Sequence, residues 1–194
     1  CADELAEYGH ILEVPQQEDF YKDKIKNANT HMFVIISDAL RYEVAVTLAE
    51  QLRRETQAQV DLSSCEAIFP TTTKLGMAAL LPHKGLTTEL KNDKLSVLTD
   101  GQSTDSIALK YADIIGMKRA ERSALVKGKE VVYIYHDTID IASHTSDSMV
   151  FGACDDAIAE IKNLVRIIVN EFGSANIIIT ADHGFLYTYS PLRE

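Results

Sequence analysis

Nowhere in the chain is there a run of about 18 apolar residues, the length a helix needs to cross a bilayer. The N-terminus, "CADELAEYGH", also lacks the basic-then-apolar layout of a signal peptide. Together these absences predict a soluble, cytoplasmic protein with no membrane partner. Cysteine is scarce: Cys1, Cys65 and Cys154 lie far apart and form no CxxC pair. A disulfide framework and a cysteine-built zinc site are thereby disfavoured, and reduced structural thiols are expected. Positive charge is short as well. With 19 Lys and Arg against 29 Asp and Glu, the formal net charge is −10, which argues against broad, sequence-independent adhesion to nucleic acid. A phosphate substrate stays open, because bound divalent metals invert the sign of a site built from carboxylates. Glycine is missing from "SDALRY", after the first apolar run, so the phosphate loop of a plain nucleotide-binding domain is discounted.

What is present fits one domain over 1–194, with 46% hydrophobic and 25% charged residues and neither repeats nor a Pro/Gly/Ser-rich linker. Residues 16–30 are the most polar stretch. They predict a charged surface helix around "EDFYKDKIKNA", within a helical lead-in over 1–30. The run "MFVIIS" then reads as a buried strand of a parallel sheet. An amphipathic helix follows, with Leu40, Val44, Leu48 and Leu52 recurring every four residues. "EVVYIY" repeats this grammar as a strand, followed by a polar loop and a helix over about 148–172, on which Ile158, Ile161, Val165, Ile168 and Phe172 share a face. "NIIITA" is the next strand. Between these halves lie a loop leading into a short Ala-rich helix ended by Pro82, and a strand at "KLSVL". Strands alternating with helices predict an α/β fold: a mostly parallel central sheet with helices on both faces. Such sheets carry ligands at the carboxyl ends of their strands.

The polar clusters sit where that rule wants them. Asp38 follows "MFVIIS", residues 136–144 follow "VVYIY", and Asp182 and His183 follow "NIIIT" and Ala181. Thr71, Thr72 and Thr73 stand just before a helix, near its unpaired N–H groups and the positive end of its dipole. Each piece has a structural reading too: Asp38 as N-cap of a helix beginning at Ala39, a Thr as cap, Asp182-His183-Gly184 as a tight turn, Asp137 and Asp147 as solvated loop residues. In combination, Asp, Asp-x-x-x-His and Asp-His at one sheet edge supply the oxygen and nitrogen donors that divalent metals take. Two metals would clamp a phosphoryl group, and a Thr hydroxyl beside them can become a nucleophile.

At "FVIISDALRYEVA", "FPTTTKLGMAALLP", "YHDTIDIASH" and "ITADHGF" the sequence resembles the alkaline phosphatase superfamily, and within it the PglZ domain of BREX-type phage-resistance systems. These motifs run in order over residues 33–185. The resemblance implies an alkaline-phosphatase-like core and a metal-dependent phosphoric-ester hydrolase working with other defence proteins. It implies two divalent metal ions, zinc by preference with manganese as the alternative. One is implied to rest on Asp38, Asp182, His183 and the nucleophile oxygen, the other on Asp140 and His144. The attacking oxygen falls on Thr73, with Thr72 as the register-shifted alternative.

The superfamily normally adds a histidine to the second metal, C-terminal to the Asp-His-Gly turn, and this chain has no His after His183. The second site is therefore expected to be labile or empty here. His136 is left as a helper or bystander, and His10, His31 and His83 as ordinary residues. Since the chain starts without Met and ends at "SPLRE" soon after "DHGF", it reads as a piece of a longer protein, truncated at its C-terminus and not necessarily active alone. Segment 85–129 is expected to be a family-specific insertion. The substrate stays open among monoester, diester, nucleotide and nucleic acid, and a metal-stabilised binding or scaffold domain is the rival to an enzyme.

Overall fold

"MFVIIS" has no polar side to offer water, and it forms β1 (Met32–Ser37), buried along its whole length. The computed structural model in which it lies describes residues 2–28, 30–91, 94–101, 105–144, 149–174 and 176–185. Cys1 and Asp147 fall outside them. In chain order the further elements are α1 (Ala2–Tyr8), α2 (Tyr42–Glu55), α3 (Thr73–Leu80), β2 (His83–Lys91), β3 (Lys94–Gly101), β4 (Ser106–Lys110), α4 (Tyr111–Gly116), α5 (Arg119–Val126), β5 (Val131–His136), α6 (Thr138–Ser143), α7 (Val150–Ile167) and β6 (Ile177–Thr180). β1 precedes α2 directly.

Four strands pair in the order β4-β5-β1-β6, all parallel. β1 lies beside β5 in the register Ser37 opposite His136, and beside β6 with Ile36 opposite Thr180. The pleat sends alternate residues to opposite faces. Phe33 and Ile35 join Val132 and Ile134 in a core with Leu48 and Leu52 of α2 and Ile158, Ile161 and Leu164 of α7. Val34 and Ile36 join Tyr133 and Leu80 of α3 on the other face, where Ile25 of the lead-in also packs. Each such aliphatic side chain, fully buried, contributes roughly 1.5–3 kcal/mol, so helices on both faces are what an all-apolar strand requires.

The expected helix over 148–172 is α7 continued by a π-helical turn, Ile168–Phe172, whose last ring stacks on Phe33 at 5.3 Å. The lead-in differs from one surface helix. It holds α1, a 3-10 turn at Gln17–Asp19 and a π-helical turn at Tyr21–Ile25. Segment 85–129 divides: β4 belongs to the main sheet, whereas β2 and β3 form a separate antiparallel hairpin. No helix among the described residues is long and apolar enough to cross a membrane.

Candidate active site

β1 ends at Ser37, and the chain then turns instead of entering a helix. Ala39 takes φ 62°, a left-handed conformation that costs a non-glycine residue about 1 kcal/mol, and α2 begins only at Tyr42 with Arg41 as its N-cap. Asp38 is therefore not the N-cap of α2. The Ala39 turn instead leaves its own N–H free to donate to Asp182 Oδ1 at 3.2 Å, tying the end of β1 to the turn after β6. The Asp38 N–H donates to the His136 carbonyl at 2.7 Å, tying the same point to β5.

Asp38, Asp182 and His183 converge there. One donor atom from each lies within 4.8 Å of the others, an arrangement that could hold a metal ion. His183 Nε2 is 3.4 Å from Asp38 Oδ1 and 3.4 Å from Asp182 Oδ2. The other ring nitrogen, Nδ1, lies 2.9 Å from the Gly184 carbonyl, which can only accept. A neutral His183 ring thus carries its proton on Nδ1 and presents the Nε2 lone pair to the two carboxylates. Thr73 Oγ1 is 3.1 Å from that nitrogen and donates to it.

Both carboxylates are buried, and neither Asp38 Oδ1 nor Asp182 Oδ2 accepts a hydrogen bond among the described residues. Burial, then the nearby Asp182 and Asp140, push the Asp38 carboxyl up to about 7, against a smaller downward pull from His183. Burial likewise raises Asp182, while His183 and the Ala39 N–H pull it down. Two buried carboxylates with unused lone pairs beside an imidazole lone pair form a donor set that could hold a divalent cation.

Thr72 occupies the N-cap position of α3, and Thr73 opens the helix. Thr72 makes no side-chain cap, and its Oγ1 is buried without a hydrogen-bond partner among the described residues. Lys74 points to solvent. α3 lies hard against the Asp182–His183 turn at Gly76, where a Cβ would collide with the Asp182 carbonyl. Asp140, on α6, and His144, at its end, pair with each other at 3.4 Å, the His side chain 78% exposed. They stand outside the three-residue cluster, although the Asp140 charge is close enough to act on Asp38.

His136 has a definite place. It is 1% exposed, with Nδ1 2.9 Å from Ser37 Oγ and Nε2 2.8 Å from Glu160 Oε2, the same oxygen that accepts from Thr138 Oγ1 at 2.6 Å. Both ring nitrogens are engaged, so it braces β1, β5 and α7. Two site residues escape sequence reading. Glu160 gives one cue, a carboxylate adjoining the apolar stripe of α7. Gln17 gives none, since it sits in the most polar stretch yet is 2% exposed and hydrogen-bonds the Asp182 and Ala181 carbonyls.

A parallel α/β sheet carrying an Asp-Asp-His cluster and a helix-start threonine at its carboxyl edge defines the alkaline-phosphatase-like class. Comparison with known proteins narrows this. The BREX system PglZ alkaline phosphatase-like domain matches residues 18–194, and the chain belongs to that family. It is 36% identical over 207 residues to the alkaline phosphatase-like protein PglZ of Bacillus cereus (strain H3081.97), covering 98% of this chain and 24% of that protein. With the alkaline phosphatase-like protein BrxZ of Escherichia coli O9:H4 (strain HS) the identity is 38% over 199 residues, covering 92% and 23%. The chain thus spans about a quarter of the length of these curated relatives.

Proposed function

We propose that this chain carries the catalytic centre of a metal-dependent phosphatase or phosphodiesterase with Thr73 as nucleophile, acting beside other proteins of a bacterial phage-defence system. The observation that carries the reading is the placement of Thr73 Oγ1 3.1 Å from His183 Nε2, beside a cluster in which Asp38 Oδ1 and Asp182 Oδ2 lack hydrogen-bond partners among the described residues. Asp38, Asp182 and His183 would hold one divalent ion, with the Thr73 oxygen as a further donor. Asp140 and His144 would contribute to a second. Zinc suits these donors and manganese is the alternative. Such ions supply charge neutralisation and Lewis acidity at the phosphoryl group.

The chain's own residues set the geometry. Thr73, in the first turn of α3, places its oxygen at the positive end of the helix dipole, which favours negative charge there. Its attack on phosphorus forms the phosphothreonine ester as the P–O bond to the substrate alcohol breaks, the hydroxyl proton ending on the departing alcohol. Water then cleaves that ester, restoring the Thr73 hydroxyl and releasing phosphate from a monoester or a phosphate monoester from a diester. In the full-length protein, Thr73→Val is expected to lower hydrolysis on the order of a thousandfold or more, and Thr72→Val by far less. Equal activity of Thr73→Val and the parent would sink the assignment.

A second reading, a metal-stabilised scaffold without turnover, draws support from the second position, where Asp140 pairs with a largely exposed His144. Bound metal per chain, measured with turnover of a chromogenic monoester and diester in added zinc or manganese, separates the two. Metal without turnover in the full-length protein favours the scaffold.

A further inference from the structure

Ahead of the matched family residues, which begin at 18, the lead-in reaches into the site. Gln16 forms a parallel bridge with Glu66, where the Gln17 N–H donates to the Glu66 carbonyl at 3.0 Å and the Glu66 N–H to the Pro15 carbonyl at 2.8 Å. The Glu66 carboxylate accepts from the Ile11 N–H at 2.8 Å and from Gln16 Nε2 at 3.1 Å. Residues 11–17 therefore lie as a strap along the segment that leads into the threonine loop. At its end the Gln17 side chain is almost wholly buried. Its Nε2 donates to the Asp182 carbonyl at 2.6 Å and the Ala181 carbonyl at 3.1 Å, and its Oε1 accepts from the Ile68 N–H at 3.0 Å. One amide thus ties the turn bearing Asp182 and His183 to the backbone just before Thr71–Thr73.

We propose that Gln17 is a positioning residue that holds the Thr73 loop in register with the Asp182–His183 turn, the strap fixing its place. The inference rests on the phosphatase reading for its kinetic consequence and not for the contacts themselves. Three hydrogen bonds, one buried and two part-buried, to backbone groups 51 to 165 residues away make the side chain costly to unpair. Without them α3 can shift along the ligand turn, and a displacement near 1 Å at a nucleophile costs on the order of a hundredfold in rate.

The test uses the full-length protein with Gln17→Met, which keeps the length of the side chain and removes its hydrogen bonds. Four quantities are measured: kcat and KM on a chromogenic phosphodiester, zinc per chain, and amide exchange over residues 66–76. The expected result is a kcat about 10- to 100-fold lower, KM within about threefold, unchanged zinc and faster exchange at Ile68. Parental kcat together with parental exchange overturns the proposal. So does a kcat loss that merely follows lost zinc. If Gln17→Met does not fold, Glu66→Gln, which weakens the strap from outside, is read by the same criteria. A parent that hydrolyses no ester defeats the phosphatase reading instead, and the exchange measurement then decides the strap alone.

Discussion

Asp38 and Asp182 share a pocket that water barely enters, so in the absence of a cation their charges are costly and a proton compensates. That makes protons and metal competitors. With Asp38 raised to about 7, zinc affinity is expected to climb as pH rises from 5 and to flatten above about 7, a trend titration calorimetry can follow. Stability of the metal-free protein runs the other way. A carboxyl whose folded value lies above its ordinary 3.8 contributes stability that is fully present below 3.8 and lost as pH rises through about 7. Asp38→Asn should therefore flatten the fall in metal-free Tm between pH 5 and 8, and an unchanged slope would count against the account. Asp38, Asp182 and His183 are legible in the sequence because each follows an apolar run, and strand ends of a parallel sheet share an edge. Gln17 and Glu160 are not, because their importance lies in hydrogen bonds to residues on other elements.

Among the elements, β1, α2 and α7 could be read from hydrophobic runs and periodicity, since burial on one or both faces leaves that trace. The start of α2 could not, because the left-handed Ala39 turn is set by the Asp182 carboxylate it faces, which lies 143 residues away. β4 and β2 were equally hidden, although "KLSVL" marks β3. β4 is a half-exposed edge strand of five residues whose pattern is too short to separate from loop. Packing between elements yields two expectations. Gly76→Ala forces a methyl against the Asp182 carbonyl and should destabilise by about 1–3 kcal/mol in denaturant titration, with weaker zinc binding. Glu160→Leu leaves the buried His136 Nε2–H without its acceptor and should cost about 1–3 kcal/mol, whereas Glu160→Gln, still able to accept, should cost less. Equal Tm values for the two Glu160 variants would show that the brace contributes nothing.

At the scale of the whole molecule, a four-stranded parallel sheet brings three strand ends and one helix start to a common edge, and the acidic net charge of −10 is compatible with the proposed cation site there. The cluster reads from three separate parts of the chain, residues 38, 73 and 182–183, so it exists only in the folded state and a metal that binds it should stabilise the fold. Diffraction from zinc-grown crystals, recorded on both sides of the zinc absorption edge, tests this most directly. The account predicts an anomalous peak among Asp38, Asp182, His183 and Thr73; its absence, or zinc bound only elsewhere, would contradict the central claim.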